Sequence, residues 1–199
     1  MNNLKNNFEK VLIIGGGSAG KNHISVIKNL KENIKIELIN SYKTFILFDL
    51  LKYNPDLIII SSPTYSHIDY LKIIDKKFKK KIILVEKPLF KKYTNFKKNL
   101  KNNNKIFVSY NLRFHPLIKF LKKFLKDKKI FFVKSFCMSY LPNWRKKDYT
   151  KTYSASKKLG GGVSLDLSHE LDYLRWLFGE IEVLFKKNDK ISNLKINSD

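Results

Sequence analysis

Three short stretches carry residues whose types and spacing suit chemistry. The run VLIIGGGSAG, residues 11–20, spaces its glycines as Gly15-x-Gly17-x-x-Gly20. Such glycines let a turn close and let backbone amides approach a pyrophosphate. The helix starting at Ser18, Ala19 and Gly20 then offers free N–H groups and the positive end of its dipole. Alone the pattern is weak. Between an apolar run and a helical pattern it favours dinucleotide binding over a ligand-free glycine turn. The second stretch is KIILVEKPLF, residues 81–90. Its apolar run reads as a strand buried on both faces, and Pro88 ends it. Glu86 and Lys87 are left at the carboxyl end of a buried strand, where open α/β sheets bind ligands. A solvated loop in a Lys-rich chain is the plainer alternative. The third is GGGVSLDLSHELDYLRWLFG, residues 160–179. It predicts one helix over 163–178 with Asp166, His169, Tyr173 and Trp176 on a shared face. A His one turn from a carboxylate can be tuned as a base near neutral pH. On residues alone, a capping Asp and a packed His explain it as well.

Two further loops belong with these. An acidic residue that holds a ribose 2′-hydroxyl is expected about twenty residues after the glycines. Asn40 stands there, followed by Ser41, Tyr42 and Lys43. Asn40 or Ser41 can still bond a hydroxyl, and Lys43 can meet a 2′-phosphate or be one more surface lysine. NAD and NADP both remain open, with a lean to NADP or dual use. The apolar run 57–60 ends in Ser61-Ser62-Pro63-Thr64, with His67 three residues later. That Pro-fixed loop is expected beside the glycine loop; His67 is either part of it or packed beneath it.

The elements that must position these groups alternate. Strands are expected at 10–14, 35–39, 44–46, 57–61, 82–85 and 105–109, and helices at 19–31, 48–53, 66–79, 93–100 and 116–125. Strands separated by helices mean βαβ units and a parallel sheet. The fold class is therefore α/β, a Rossmann-type parallel sheet domain followed by an incomplete α+β domain. The second part is expected to hold a strand over 129–140, the late helix, and a hairpin of 181–186 with 190–196 around Asn188-Asp189.

Composition excludes several classes. The chain has 199 residues, is 43% hydrophobic, and has one cysteine, so no disulfide can form within it. The apolar run 11–14 is too short for a leader or a membrane span. A cytosolic protein with no membrane partner is the expectation. The net charge of +23 invites a nucleic-acid reading. The lysines, however, are spread along the chain or gathered at helix ends, as at 76, 77, 79, 80 and 81, where they complement the dipole. No nucleic-acid partner is expected, and no cluster suggests a metal.

Taken together, GGGSAGKNH (15–23), PDLIIISSPTYSH (55–67), EKP (86–88), YNLRFHP (110–116) and the late glycine-helix stretch resemble the Gfo/Idh/MocA family of nicotinamide-dependent sugar and polyol oxidoreductases. The pieces occur in the family's order and cover about residues 10–180. The resemblance implies an NAD(P)-binding domain over 5–112 and part of the family's C-terminal domain over 113–199. It implies that Lys87 lies at nicotinamide and substrate, holding a sugar hydroxyl and helping to polarise it, and that Glu86 positions that loop. It further implies Asp166 and His169 as substrate-orienting and acid–base groups, although family members commonly space these two by four residues rather than three. Cofactor contacts are expected from Gly15, Gly17, Ser18, Ala19, Gly20, Asn40, Ser61, Pro63, Thr64, His67, Glu86 and Lys87.

In the segment 140–162, Trp144, Arg145 and Tyr149 suit a sugar ring with an anionic or nucleotide-linked group. Arg113, at the crossover between the two parts, is a further substrate candidate. This form of the segment resembles members from surface-polysaccharide and nucleotide-sugar metabolism. The sequence ends where the family's C-terminal sheet continues, so only part of that sheet, and of the homo-oligomer face it often provides, is expected. Two functions follow: an NAD(P)-dependent oxidoreductase moving hydride to or from a sugar hydroxyl carbon, or a non-catalytic dinucleotide-binding remnant or sensor.

Overall fold

The computed structural model describes residues 8–96, 100–144 and 146–196. The chain divides into two compact units, Met1–Ser109 and Tyr110–Asp199.

The first unit is built on a five-stranded sheet in the order β2-β1-β3-β4-β5, parallel throughout. The strands are β1 (Lys10–Ile14), β2 (Lys35–Ile39), β3 (Leu57–Ile60), β4 (Ile82–Val85) and β5 (Lys105–Val108). Parallel strands need crossovers, here made by α1 (Ser18–Leu30), α2 (Tyr42–Leu47), α3 (Leu50–Tyr53) and α4 (His67–Lys77). Side chains alternate across the sheet. Leu12, Ile14, Ile58, Ile60, Ile83 and Val85 join Phe45, Leu71 and Ile74 on one face. Val11, Ile13 and Ile59 join Ile27 of α1 on the other. Near-continuous apolar strands covered on both faces are the signature of an internal parallel sheet. All five carboxyl ends therefore lie along one edge.

A buried polar clamp fixes the far end of the sheet. The Asp75 carboxylate accepts from the Asn104 side-chain amide at 2.8 Å and from the Lys101 backbone at 3.0 Å. Asn104 in turn accepts from the Lys81 backbone at 2.8 Å. Two expectations fail in this unit. Residues 44–46 are helical, because the Ser41 hydroxyl accepts from Thr44 N–H at 3.1 Å and caps α2. Phe45 then turns inward edge-on to Tyr70, 4.8 Å between ring centroids. Of the helix expected over 93–100, residues 93–95 are not helical, and residues 97–99 lie outside the described residues.

The second unit begins with a 3-10 turn at Asn111–Phe114 and α5 (Pro116–Phe124). Short 3-10 turns follow, then α6 (Val163–Asp166) and α7 (His169–Phe178). No strand occurs among its described residues. The segments expected as a strand over 129–140 and as a hairpin after residue 180 carry no regular secondary structure among the described residues, and their apolar side chains stay exposed, Phe131, Phe132, Leu184 and Phe185 among them. Aromatic and β-branched residues do not hold a strand without a ladder partner. The single late helix is two: the turn at Leu167 and Ser168 separates α6 from α7. Among the described residues no helix is long and apolar enough to cross a membrane.

Candidate functional site

At the carboxyl edge of the first unit the ladder runs past the strands. Gly15 N–H donates to Ile39 O, Ser61 N–H to Ile14 O, Glu86 N–H to Ile60 O and Ser109 N–H to Val85 O, each at 2.8 Å. Four loops are thereby set side by side. In the first, Gly15 has φ +107°, and a Cβ there would stand 2.6 Å from the Ser61 carbonyl carbon and Ser62 N. A Cβ at Gly20 would run into the Gly15 carbonyl oxygen. These two glycines let the turn close and α1 dock. Gly17 differs: it is exposed, and nothing lies within 4 Å of its Cβ position. It precedes the α1 N-terminus, which no side chain caps. Open space in front of uncapped N–H groups fits a pyrophosphate.

The other predicted contacts vary in their freedom. The Ser61 hydroxyl donates to Gly15 O at 2.8 Å, turned into the glycine loop. The Asn40 side chain lies against Gly16, at the rim of that loop. Ser41 is taken up by the α2 cap. Pro63 is exposed and Thr64 is buried. His67 is 1% exposed, with Nε2 2.8 Å from Ser62 O and Nδ1 3.1 Å from Leu89 O. In that placement His67 ties the Ser61–Thr64 loop to the loop after Pro88 from beneath, the packed alternative of the two readings. At the end of β4, Glu86 Oε1 stands 2.7 Å from His23 Nε2 on α1. Lys87 follows, half-buried, and the Lys87–Pro88 peptide is cis. His23 was not among the predicted site residues; its position at the end of GGGSAGKNH, in the second turn of α1, is the signal that could have found it.

Two titrations mark this edge. Burial holds the His67 imidazole below its usual range, outweighing the neighbouring carbonyls of Ser62, Leu89 and Pro88. Burial pushes the Glu86 carboxyl up, but hydrogen bonding and charge from His23, with the Ser109 hydroxyl and the Lys87 backbone amide, bring it below its usual value. Both folded values are depressed, so both groups bind fewer protons folded than unfolded. The stability they contribute is complete above the unfolded values, 6.5 for His67 and 4.5 for Glu86, and is lost as pH falls below them. Melting temperature is expected to decline first below about pH 6.5. His67→Gln, a donor that does not titrate, should flatten the decline above about pH 5 and leave the lower step in place. An unchanged profile would remove His67 from the account.

In the second unit, Asp166 is buried, and its carboxylate accepts from Gly162 N–H at 3.2 Å and from the Ser154 hydroxyl at 3.4 Å. It braces the glycine loop. Because the helix breaks after it, it does not share a helix face with His169, which corrects the four-residue stripe. His169, Tyr173 and Trp176 do lie on α7, with the His169 ring edge-on to Tyr110 at 5.7 Å. Arg113 forms a two-pronged pair with Asp172, Nε to Oδ2 at 2.7 Å, and that bond raises its pKa. The Trp144 indole N–H donates to the Ser139 hydroxyl, and the Tyr149 hydroxyl accepts from Lys195 N–H at 3.0 Å. Arg145 lies outside the described residues. Among the described residues no cluster of His, Cys, Asp or Glu could hold a metal.

Comparison with known proteins agrees with both units. Residues 122–194 match the model of the oxidoreductase family, C-terminal alpha/beta domain, of the Gfo/Idh/MocA group. The chain is 26% identical over 132 residues to YteT of Bacillus subtilis (strain 168), named as an oxidoreductase; the match covers 63% of this chain and 30% of that protein. In fold it is similar to the WlbA (WbpB) dehydrogenase from Thermus thermophilus in complex with NAD and UDP-GlcNAcA. The TM-score is 0.66 at 19% identity, covering 92% of this chain and 67% of that one. It is also similar to the WlbA dehydrogenase from Bordetella pertussis in complex with NADH and UDP-GlcNAcA, with TM-score 0.63 at 17% identity, covering 85% and 59%. The chain thus spans well under the full length of these relatives. The family match lies within the second unit, residues 122–194, and the first unit shares the parallel-sheet fold of those dehydrogenase structures, so the chain is similar to the Gfo/Idh/MocA oxidoreductases over part of its length.

Proposed function

We propose that the chain carries the dinucleotide-binding half, and part of the substrate half, of an NAD(P)-dependent oxidoreductase acting at a hydroxyl-bearing carbon of a sugar or nucleotide sugar. One observation carries the reading: Gly17 opens onto free space before an uncapped helix, while Gly15 and Gly20 are closed by contact. Packing alone gives no reason for an open glycine there; a pyrophosphate does. The bound nucleotides of the WlbA dehydrogenases support the same cofactor and substrate class. A cytoplasmic role in surface-polysaccharide metabolism belongs to the same proposal, on the form of the 140–162 segment.

The chain's own residues divide the work. The Gly15–Gly20 turn and the first N–H groups of α1 hold the pyrophosphate. Asn40 faces the ribose that follows; with no carboxylate there to repel a 2′-phosphate, both NAD and NADP are accepted. The nicotinamide, when bound, supplies or receives the hydride. Lys87 bonds the substrate hydroxyl and takes part in moving its proton, at the carboxyl end of β4. His169, on α7, is a second acid–base group.

The test is thermal melting of the purified chain with NAD(H) and, separately, NADP(H). At about a hundred times its dissociation constant, a bound cofactor adds about 2.7 kcal/mol to stability. A rise with either is the expected result. A cooperative melt that neither shifts would overturn the reading. Binding without turnover on any nucleotide sugar would favour the sensor alternative.

A further inference from the structure

Glu86 is the hub of the β4 carboxyl end. Its carboxylate takes donors from three directions: the His23 ring of α1 at 2.7 Å, the Ser109 hydroxyl beyond β5, and the backbone amide of Lys87 itself. The two paired side chains are only 18% and 22% exposed. A contact this sheltered is screened far less than a surface ion pair. His67 is a further titratable neighbour, and it feels the Glu86 charge from the opposite loop. Because the Lys87 amide bonds the same carboxylate, whatever fixes Glu86 also fixes the backbone from which the Lys87 side chain departs. His23 is the one donor of the three that comes from the helix behind the glycine turn.

We propose that His23 is a positioning residue: by clamping Glu86 it orients Lys87, and it ties the glycine-turn helix to the loop that carries the reactive amine. The inference rests on the functional reading of Lys87 given above. Losing His23 leaves a sheltered carboxylate short of a donor. Glu86 then turns toward water and releases the Lys87 backbone.

The first readout needs neither cofactor nor turnover. The ligand-free full chain is acetylated briefly, and the rates at Lys87 and Lys91 are compared by mass spectrometry. His23→Ala is expected to change the Lys87 rate about fivefold, an effect of about 1 kcal/mol, and to leave Lys91 unchanged. His23→Gln, which can still donate to Glu86, should return Lys87 to the wild-type rate. If His23→Ala fails to melt cooperatively, His23→Asn, too short to reach Glu86, replaces it. The second readout is steady-state kinetics: kcat falls roughly tenfold or more in the disrupted variant while KM changes little, because misplacement affects the reacting group. Equal Lys87 and Lys91 rates in wild type and a folded disrupted variant would overturn the proposal. A selective Lys87 change in a chain that binds no dinucleotide would uphold the clamp and overturn the functional reading instead.

Discussion

Gly20→Ala is expected to cost the first unit about 3 kcal/mol of stability, whereas Gly17→Ala should cost less than about 0.5 kcal/mol. The two glycines are three residues apart in one motif, yet their surroundings are opposite. A methyl group at Gly20 meets the Gly15 carbonyl oxygen and stands 2.9 Å from the Ser61 hydroxyl oxygen. Neither neighbour can retreat: Gly15 is held by the Ile39 carbonyl and Ser61 by that of Ile14. The helix must therefore lift off the sheet, and Ile27, its buried anchor, lifts with it. At Gly17 the backbone has φ −68° and ψ −171°, which alanine adopts freely, and the added methyl meets no atom. What it does fill is the approach to the α1 N-terminus. Gly17→Ala should therefore weaken dinucleotide binding tenfold or more, about 1.4 kcal/mol, at unchanged stability. Urea denaturation and NADH fluorescence titration separate the two effects. Comparable losses of stability in both variants would make the motif a packing device; full affinity in folded Gly17→Ala would remove the pyrophosphate from this turn.

That split within one motif also marks what the sequence disclosed. Strands such as Leu57–Ile60 and Ile82–Val85 were legible because a buried parallel strand is a short apolar run stopped by polar or proline residues. The Gly15–Gly20 turn was legible because its neighbours had the right period. The misreadings share a cause, namely that the deciding partner lies elsewhere in the chain. Residues 44–46 look like a strand until Ser41 is seen to cap them. Asp166 and His169 have helical spacing, but the Asp166 carboxylate is drawn to Gly162 and Ser154, and the chain turns after it. Phe131 and Phe132 promise a strand that no described segment pairs with. His23 and Glu86 are 63 residues apart, so their pairing was invisible until β1 and β4 were placed in one sheet.

Lys87→Ala should lower kcat by about 10²–10⁴-fold, the range expected when a positioned proton-transfer group is lost, while the dissociation constant for NADH stays within about threefold. The two effects should separate because they arise on different loops. Pyrophosphate affinity belongs to the turn after β1, whose backbone hydrogen bonds and glycine contacts do not involve Lys87. Lys87 follows β4 and is half-buried, and its side chain has no part in the cores on either sheet face. Truncating it removes no core packing, so the melting temperature should hold within a few degrees. Lys87→Arg adds a second test. It keeps the charge on a larger, planar group that does not give up its proton, so substrate binding should persist while turnover stays low. Recovery of kcat in Lys87→Arg would mean that charge alone suffices and that no proton passes through this position. Full turnover in Lys87→Ala would remove the residue from the chemistry, and His169 on α7 would become the acid–base group to test next.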